Sequence, residues 1–304
     1  MNVAGVARPA PAVVSASAPR RRRTPLLLAL LAAPLPAAAS VVVALVVVAA
    51  VVSPLLAPFN PTFQDLAARL SPPLQSSRAG FHLLGTDALG RDILSRLIFG
   101  SRISLVIGLA SVVVAGALGV ALGLIAGYAR GGWDHLIMRL ADIQLAIPFL
   151  VLALATVAVV GPSLVNLIVA LGVTGWVQYA RIVRAETLSV TGREYVEAAR
   201  LLGGSPTRIV VRHVLPNVLA SVIVVGTLQV SRMILFEASL SFLGLGVPPP
   251  TPTWGGMVAD GRSYVDRAWW VSTLPGLAIF VLVLAVAVLG DRLRDVLDPR
   301  LQNA

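Results

Sequence analysis

The fold is decided by the stretch ISLVIGLASVVVAGALGVALGLIAGY, which runs from Ile103 to Tyr128 without a charged side chain. A helix needs about 20 apolar residues to cross the hydrocarbon core of a bilayer. This stretch is long enough to cross the core and to tilt within it or extend beyond it. The sequence therefore predicts that at least one helix of this protein spans a membrane.

The composition of the whole chain also indicates a membrane protein. The chain has 304 residues, of which 57% are hydrophobic and 12% are charged. Soluble domains average roughly 45–50% apolar and about 25% charged residues, so these few charges could not cover a soluble fold of this length. A net charge of +10 would suggest nucleic acid as a partner of a soluble protein, but membrane spans exclude that class.

The residue types that are missing exclude several kinds of chemistry. The chain has no cysteine, which excludes disulfides, thiol catalysis and cysteine-ligated metals. All 24 basic residues are arginine, so the lysine of a phosphate-binding loop or a Schiff base is missing. His82, His135 and His213 are far apart and have no second ligand at metal spacing. We expect no catalytic residue, no cofactor and no metal in this chain.

Further apolar stretches predict an all-α integral membrane protein with six transmembrane helices. The spans are predicted near Ala37–Leu56, Ile103–Tyr128, Ile143–Val160, Ser163–Tyr179, Val218–Leu245 and Trp270–Gly290. The predicted organisation is a tail (residues 1–36), a first span (37–57), a loop (58–102) and a core (103–304). The end of the loop, Asp92–Arg102, has apolar residues at helical spacing and is expected to lie flat on the membrane.

The arginines predict the orientation of the chain. With the N-terminus in the cytoplasm, 16 arginines lie inside, 7 lie outside, and Arg232 falls within the fifth span. Cytoplasmic loops of membrane proteins carry an excess of arginine and lysine, so this orientation is favoured. Six spans then place both termini in the cytoplasm. The loop 58–102 becomes external, and the segments 180–217 and 291–304 become cytoplasmic.

The tail, residues 1–36, has two interpretations. Arg20–Arg23 followed by an apolar run and three alanines resembles a signal peptide, but the run continues well past the alanines, which favours a retained anchor. Pro34 and Pro36 interrupt the run, so its first part is placed before the span, at the membrane interface. Residues 1–24 are rich in alanine, proline and arginine, and we expect them to be disordered.

Most of the information about function lies in the segment 180–217. Its centre reads EYVEAARLLGGSPTR from Glu194 to Arg208, where good helix formers are followed by two glycines. The glycines end a first short helix, and Ser205 with Pro206 is typical of the start of a second. The sequence therefore predicts two short helices that lie outside the membrane, with a second helix that ends near Leu215, before the fifth span.

The first of these short helices is a candidate docking surface. Ala198 and Ala199 are small enough to let the surface of a partner approach closely. Polar contacts would come from Glu197 and Arg200, and apolar anchors from Tyr195, Val196, Leu201 and Leu202. On the residues alone, a solvated loop that merely links spans four and five remains an equal alternative.

Here the residues resemble a known family. Glu197-Ala198-Ala199, then Gly203, then Leu215-Pro216 resembles the EAA signature of bacterial ABC importer permeases. The run His213–Asn217 is similar to the peptide-importer branch, and it departs from the general pattern, which has isoleucine at position 213. Other blocks that resemble this branch are Leu84–Arg96, Ser241–Gly246 followed by Trp254-Gly255, and Gly290–Arg300. The blocks are in family order over residues 37–302, and the long first loop is similar to the C-type permease of dipeptide and oligopeptide importers.

The resemblance implies a type I ABC importer permease fold and a non-catalytic subunit in the bacterial plasma membrane. The implied partners are a second permease, two ATPase subunits that bind ATP and Mg, an external substrate-binding protein and a peptide. The cytoplasmic helix would dock on an ATPase subunit through Tyr195, Glu197, Ala198, Ala199, Arg200, Leu202, Gly203 and Ser205. Residues 1–36 depart from the family pattern, so their role is open.

Charged residues within or beside the spans are further candidates. A charge at the bilayer centre costs roughly 2.5–3.5 kcal/mol on insertion scales. Arg232 and Glu237 are five residues apart, so they do not share one face of the fifth span. They either face the translocation path or a partner subunit, or they pair with neighbouring helices and hold the bundle. Asp142 is expected to pair with Arg139 or another arginine.

Two other functions remain candidates. The same machinery could import another cargo, such as nickel chelates or sugar-containing oligomers, because the binding protein largely sets the cargo. A secondary transporter that needs no ATPase is expected to show inverted repeats or broken helices. The sequence shows neither clearly, and that alternative leaves the two short helices unexplained.

Overall fold

The computed structural model describes residues 33–77 and 80–297, which form a bundle of long helices. The predictions for residues 1–32, including the disordered tail and the choice between anchor and signal peptide, lie outside this part of the chain. The end of the predicted C-terminal segment, residues 298–304, also lies outside it.

The long helices are joined by short helices and by one two-stranded ribbon. The helices are α1 (Pro34–Val51), α2 (Ser53–Leu56), α3 (Ile93–Ala129), α4 (Gly131–Leu145), α5 (Phe149–Val160), α6 (Leu164–Thr191), α7 (Glu194–Leu201), α8 (Pro206–Ile209), α9 (Leu215–Phe242), α10 (Trp254–Gly261) and α11 (Trp270–Leu297). The strands β1 (Gln75–Ser77) and β2 (Gly80–His82) are antiparallel, with Ser76 opposite Phe81. Single 3-10 turns lie at Leu66–Ala68 and Arg262–Tyr264.

The structure confirms the predicted helical membrane fold. Five helical stretches are each long and apolar enough to cross a membrane: α1, α3, α6, the continuous stretch Pro206–Phe242 that contains α9, and α11. Helices α4 and α5 pass the same test only together, and they meet at a bend of 90°. With that pair counted as one crossing, the described residues provide up to six spans.

The third span is broken, whereas the sequence predicts one continuous span near Ile143–Val160. Helix α4 ends at Leu145 and α5 begins only at Phe149. Pro148 explains the break, because proline has no N–H to donate and disfavours a helical conformation of the residue before it. The 12 residues of α5 reach about 18 Å, short of the roughly 30 Å of a bilayer core.

The second span begins at Ile93 instead of Ile103, so the prediction that Asp92–Arg102 lies flat on the membrane is wrong. The Asp92 carboxylate caps the helix by accepting the backbone N–H of Ser95 at 2.8 Å. Ile93 is fully buried, and it fixes this first turn in the bundle. The loop that was predicted to extend to residue 102 therefore ends at Asp92.

Other helix bounds also differ from the predicted spans. The first span begins at Pro34, because proline is tolerated in the first turn of a helix, where its missing N–H has no partner to lose. Helix α6 continues to Thr191, so the segment predicted to start at residue 180 begins inside a span. The second short helix is not separate from the fifth span, since the π-helical turn Val210–Val214 joins α8 directly to α9.

Helices α3 and α6 run parallel in close contact, and glycines of α3 make this possible. A Cβ atom on Gly119 would lie 2.4 Å from the carbonyl oxygen of Trp176 and 2.4 Å from the Cβ of Tyr179. A Cβ on Gly123 would lie 2.7 Å from the carbonyl oxygen of Ala180. Small residues at such an interface let two helix backbones approach closely, which favours helix association in a membrane.

The bundle has two ends, one formed by the first loop with α10 and one that carries α7 and α8. At one end, called the loop end, the indole of Trp270 donates to the Thr86 carbonyl at 3.2 Å and the indole of Trp254 donates to the Leu97 carbonyl at 2.9 Å. The other end, called the α7 end, carries α7 and α8, where α3 and α6 also finish. Helix α1 runs towards the loop end and α11 runs away from it, so the start of α1 and the end of α11 both lie at the α7 end.

Candidate functional sites

Helix α7 and the turn that follows it form a protruding element at the α7 end. Helix α7 covers Glu194–Leu201, and Gly203 turns the chain with a φ of 82°, a conformation that glycine adopts readily. The Ser205 hydroxyl caps α8 by accepting the backbone N–H of Arg208 at 3.4 Å. The predicted first short helix and its glycine turn are therefore present, and α8 begins where the second was predicted to begin but continues into the fifth span.

The candidate docking residues lie largely on the outside of this element. Leu202 is 88% exposed and the neighbouring Leu201 is 84% exposed. Among the residues predicted to dock, Ala199 is half-buried and the others are exposed: Tyr195, Glu197, Ala198, Arg200, Leu202, Gly203 and Ser205. Val196 was predicted as an apolar anchor for a partner, but it is fully buried in a cluster with Val190 and Ile209. Val196 therefore anchors α7 to its own bundle.

Three contacts tie α7 to the ends of the spans. The Arg200 guanidinium lies over the ring of Tyr128, in the last turn of α3. The Asn217 amide donates to the Tyr195 hydroxyl at 3.2 Å, and the Tyr195 and His213 rings are 6.3 Å apart. Helix α7 thus contacts α3 directly, and it contacts the π-helical turn and α9 as well.

A second candidate site is a cavity of about 880 Å³ between α6, α9 and α11, here called the polar cavity. It is lined by Gln178, Ile182, Ala185, Glu186, Ser189, Arg193, Ala220, Ser221, Val224, Val225, Leu228, Gln229, Arg232 and Arg294. Many of these side chains are polar or charged although the helices that carry them are membrane spans. Sequence reasoning singled out Arg232 and missed the others, because glutamines and serines on an apolar helix give no distinct signal.

The structure separates the two charged residues of the fifth span. Arg232 points into the polar cavity, where its Nη1 donates to Oε1 of Gln178 at 3.0 Å. Glu237 is fully buried elsewhere, and its Oε1 accepts a hydrogen bond from the Ser241 hydroxyl at 2.8 Å. The packing of α10 against this part of α9 is close, since a Cβ on Gly255 would lie 2.5 Å from the Cα of Ala238. Glu237 therefore lies inside the bundle, whereas Arg232 faces an open volume.

A third polar cluster lies at the loop end, within the block Leu84–Arg96. The Asp87 carboxylate accepts hydrogen bonds from Arg91, at 2.6 Å, and from Arg96. Both arginines also reach the Asp260 carboxylate of α10 at 3.2 Å. Sequence reasoning recognised this block only as a resemblance, and the cluster shows that it joins the first loop to α10.

Two further ion pairs join helices of the bundle. Asp142 pairs with an arginine as expected, and the partner is Arg181 at 2.5 Å rather than Arg139. Arg184 of α6 pairs with Asp134 of α4. Within residues 33–77 and 80–297, no group of three or more acidic, histidine or cysteine side chains is placed to hold a metal ion.

Comparison with solved structures defines the class of fold. The chain is similar to two inward facing structures of the MetNI methionine ABC transporter, with TM-scores of 0.55 and 0.56 and sequence identities of 24% and 23%. The matches cover 66% and 67% of this chain and 96% and 97% of those chains. The chain therefore shares the fold of these ABC transporter chains.

Sequence comparison then shows the family. Residues 119–303 match the binding-protein-dependent transport system inner membrane components, and the chain belongs to this family. It is 50% identical over 254 residues to a di/tripeptide transport system permease of Pseudomonas aeruginosa, covering 83% of this chain and 84% of that protein. It is 47% identical over 249 residues to a dipeptide transport system permease of Escherichia coli K12, covering 82% and 83%. It is also 44% identical over 230 residues to a glutathione transport system permease of Pectobacterium atrosepticum, covering 76% of each.

Proposed function

We propose that this chain is a permease subunit of an ATP-driven importer of dipeptides and oligopeptides in a bacterial plasma membrane. The relatives described above are named for di- and tripeptide, dipeptide and glutathione transport, which supports a peptide cargo over nickel chelates. The chain itself transports and does not hydrolyse ATP. Two ATPase subunits would bind ATP and Mg.

The observation that carries the coupling role is the exposure of Leu201 and Leu202 on an element tied to two spans. Large apolar side chains exposed in water favour contact with a partner protein. Docking of an ATPase subunit on α7 would bury them, and its motion would reach α3 through Tyr128 and α9 through Asn217. The α7 end then faces the cytoplasm, which agrees with the predicted excess of arginine on that side.

The other partners are proposed for other faces of the bundle. A second permease would cover the face that carries Arg232 and Gln178, because lone polar side chains in a span do not face lipid. An external substrate-binding protein would contact the loop end, where residues 57–92 and α10 are joined by the Asp87 and Asp260 carboxylates. The polar cavity would then be one wall of the translocation path.

A secondary transporter without an ATPase is the competing function. The bend of 90° between α4 and α5 is the kind of broken span that such transporters contain. The exposed α7 element has no role in that mechanism, and the family of this chain comprises components of binding-protein-dependent systems. These two observations favour the importer.

The test is purification of the tagged chain from native membranes in mild detergent, with identification of the proteins that accompany it. Co-purification of a second permease and ATPase subunits is the expected result, and reconstituted peptide uptake that requires ATP would follow. Isolation of the chain alone or as a homo-oligomer, at every detergent strength, would overturn the importer proposal.

A further inference from the structure

The polar cavity carries charge at a depth where a membrane protein rarely places it without a function. Arg232 lies ten residues before Phe242, the last residue of α9, which is about 15 Å from that end of the helix. It lies about 26 Å from the other end, at Leu215. An arginine near the middle of a span normally faces a water-filled volume or a partner and marks a substrate path. Gln178 is neutral, so its hydrogen bond to Arg232 does not compensate the positive charge of the guanidinium.

A carboxylate lies in the same cavity, closer to the α7 end. Glu186 is eight residues beyond Gln178 on α6, about 12 Å along the helix axis. Its Oε1 accepts a hydrogen bond from the Ser221 hydroxyl at 2.7 Å. The other charged lining residues, Arg193 and Arg294, are both basic, so Glu186 is the single carboxylate among the lining residues. The cavity therefore holds an arginine at mid-depth, one acidic group below it, and two further arginines, Arg193 and Arg294, at the α7 end.

We propose that the polar cavity binds the two charged ends of a free peptide, the carboxylate at Arg232 and the ammonium group at Glu186. This inference rests on the proposed peptide importer. A free peptide at neutral pH carries one group of each sign, and a guanidinium offers a carboxylate two parallel N–H donors. The amides of Gln178 and Gln229 can donate to the same carboxylate or accept from the peptide backbone.

The distance between Arg232 and Glu186 determines which peptides could contact both residues at the same time. An extended peptide reaches about 3.3–3.6 Å per residue, so a tripeptide reaches about 10 Å. With the reach of the Arg232 and Glu186 side chains, a tripeptide can contact both groups at once. A dipeptide is shorter than the axial separation and would contact them in succession. The amino end of the peptide then leads towards the α7 end.

The absence of cysteine from the chain allows a direct test of this arrangement. Leu228→Cys places a thiol one helical turn from Arg232, and Ile182→Cys places one a turn from Glu186, both within the cavity lining. Each variant is assembled into the complete complex and labelled with an anionic or a cationic methanethiosulfonate reagent, and labelling is read on this chain by mass. We expect the anionic reagent to react faster at position 228 and the cationic reagent to react faster at position 182.

Protection by ligand identifies the chemistry that is recognised. Trialanine is expected to slow labelling at positions 228 and 182, whereas N-acetyltrialanine amide, which lacks both charges, is expected to slow neither. Arg232→Gln should remove protection at position 228 by trialanine. Equal protection by the charged and the capped peptide, or protection that Arg232→Gln does not change, would overturn the assignment.

Uptake into proteoliposomes gives an independent measurement. We expect Arg232→Gln to lower ATP-driven trialanine uptake roughly tenfold or more, the size expected for one charged hydrogen-bonded contact, and Arg232→Lys to restore part of it.

The matched control is Arg102→Gln, an exposed arginine of α3 outside the cavity lining. If Arg232→Gln and Arg102→Gln transport equally well, the inference is wrong while the importer stands. If the unmodified complex transports no peptide, the proposed function fails, and charge-dependent protection by trialanine still tests the cavity.

Discussion

The guanidinium carbon of Arg200 lies 5.8 Å from the centre of the Tyr128 ring. Arg200 belongs to the exposed helix α7, and Tyr128 belongs to the last turn of α3, which is packed along α6. Asn217 makes a second connection from α9 to Tyr195 of α7. These contacts connect α7 to two spans, α3 and α9, so a displacement of α7 would reach both of them.

Removing the Tyr128 ring should weaken the coupling between α7 and α3 without dissociating the complex. A cation–π contact at an exposed site contributes about 0.5–1 kcal/mol. We expect Tyr128→Leu to assemble normally and to transport less peptide for each ATP hydrolysed. Tyr128→Phe keeps the ring and serves as the control. Equal transport stoichiometry in the two variants would show that the contact has no part in coupling.

A charge at Leu202 should prevent docking of the ATPase subunits. Leu202 is 88% exposed, so Leu202→Glu has no effect on the internal packing of the bundle and acts only on a bound partner. We expect the variant to insert into the membrane in normal amounts and to lose the ATPase subunits on purification. Ala199→Trp should act in the same direction, because its bulk prevents close approach.

The control for Leu202→Glu is Leu66→Glu, at a leucine that is 69% exposed at the loop end. It should retain the ATPase subunits. Retention of the ATPase subunits by Leu202→Glu, at the level seen with Leu66→Glu, would contradict a docking role for this face of α7.

The interface between α3 and α6 should not tolerate a methyl group at Gly119. The added Cβ would lie 2.4 Å from the Trp176 carbonyl oxygen, and a backbone atom cannot move aside as a flexible side chain can. Overpacking of this kind costs about 1–3 kcal/mol. We expect Gly119→Ala to lower the thermal unfolding midpoint of the detergent-solubilised protein. Gly132→Ala, where a Cβ meets no atom within 4 Å, should leave the midpoint unchanged or raise it.

The carboxylate of Asp87 should be essential for the stability of the loop end. Arg91 and Arg96 are 8% and 4% exposed, whereas the side chain of their other shared partner, Asp260, is 46% exposed. Removing one member of a buried ion pair costs about 3–5 kcal/mol, because the remaining charge stays buried. Asp87→Asn should therefore lower the unfolding midpoint strongly and increase proteolysis of residues 57–92.

Asp266→Asn changes an exposed carboxylate in the same region and is the matched control for Asp87→Asn. Its unfolding midpoint should equal that of the unmodified protein. A similar small effect of both substitutions would show that the Asp87 cluster does not hold the first loop to α10.

The membrane class and the short helices α7 and α8 could be predicted from the sequence because their signals are local. Runs of apolar residues indicate spans through their length alone, and the glycines after Leu202 with the cap at Ser205 indicate where short helices end and begin. The break at Pro148 was also present in the sequence. It was missed because hydropathy averages over a proline in a run of apolar residues.

The tertiary structure alone decided what the charged and polar residues do. The sequence placed Arg232 and Glu237 in the same span. Only the packing of α6, α10 and α11 around α9 exposes Arg232 to a cavity and buries Glu237 in the bundle. The cluster at Asp87 likewise depends on Asp260, which is far away along the chain. Burial and ion pairing depend on neighbours from distant parts of the chain, whereas hydropathy and helix capping depend on neighbours within a few residues.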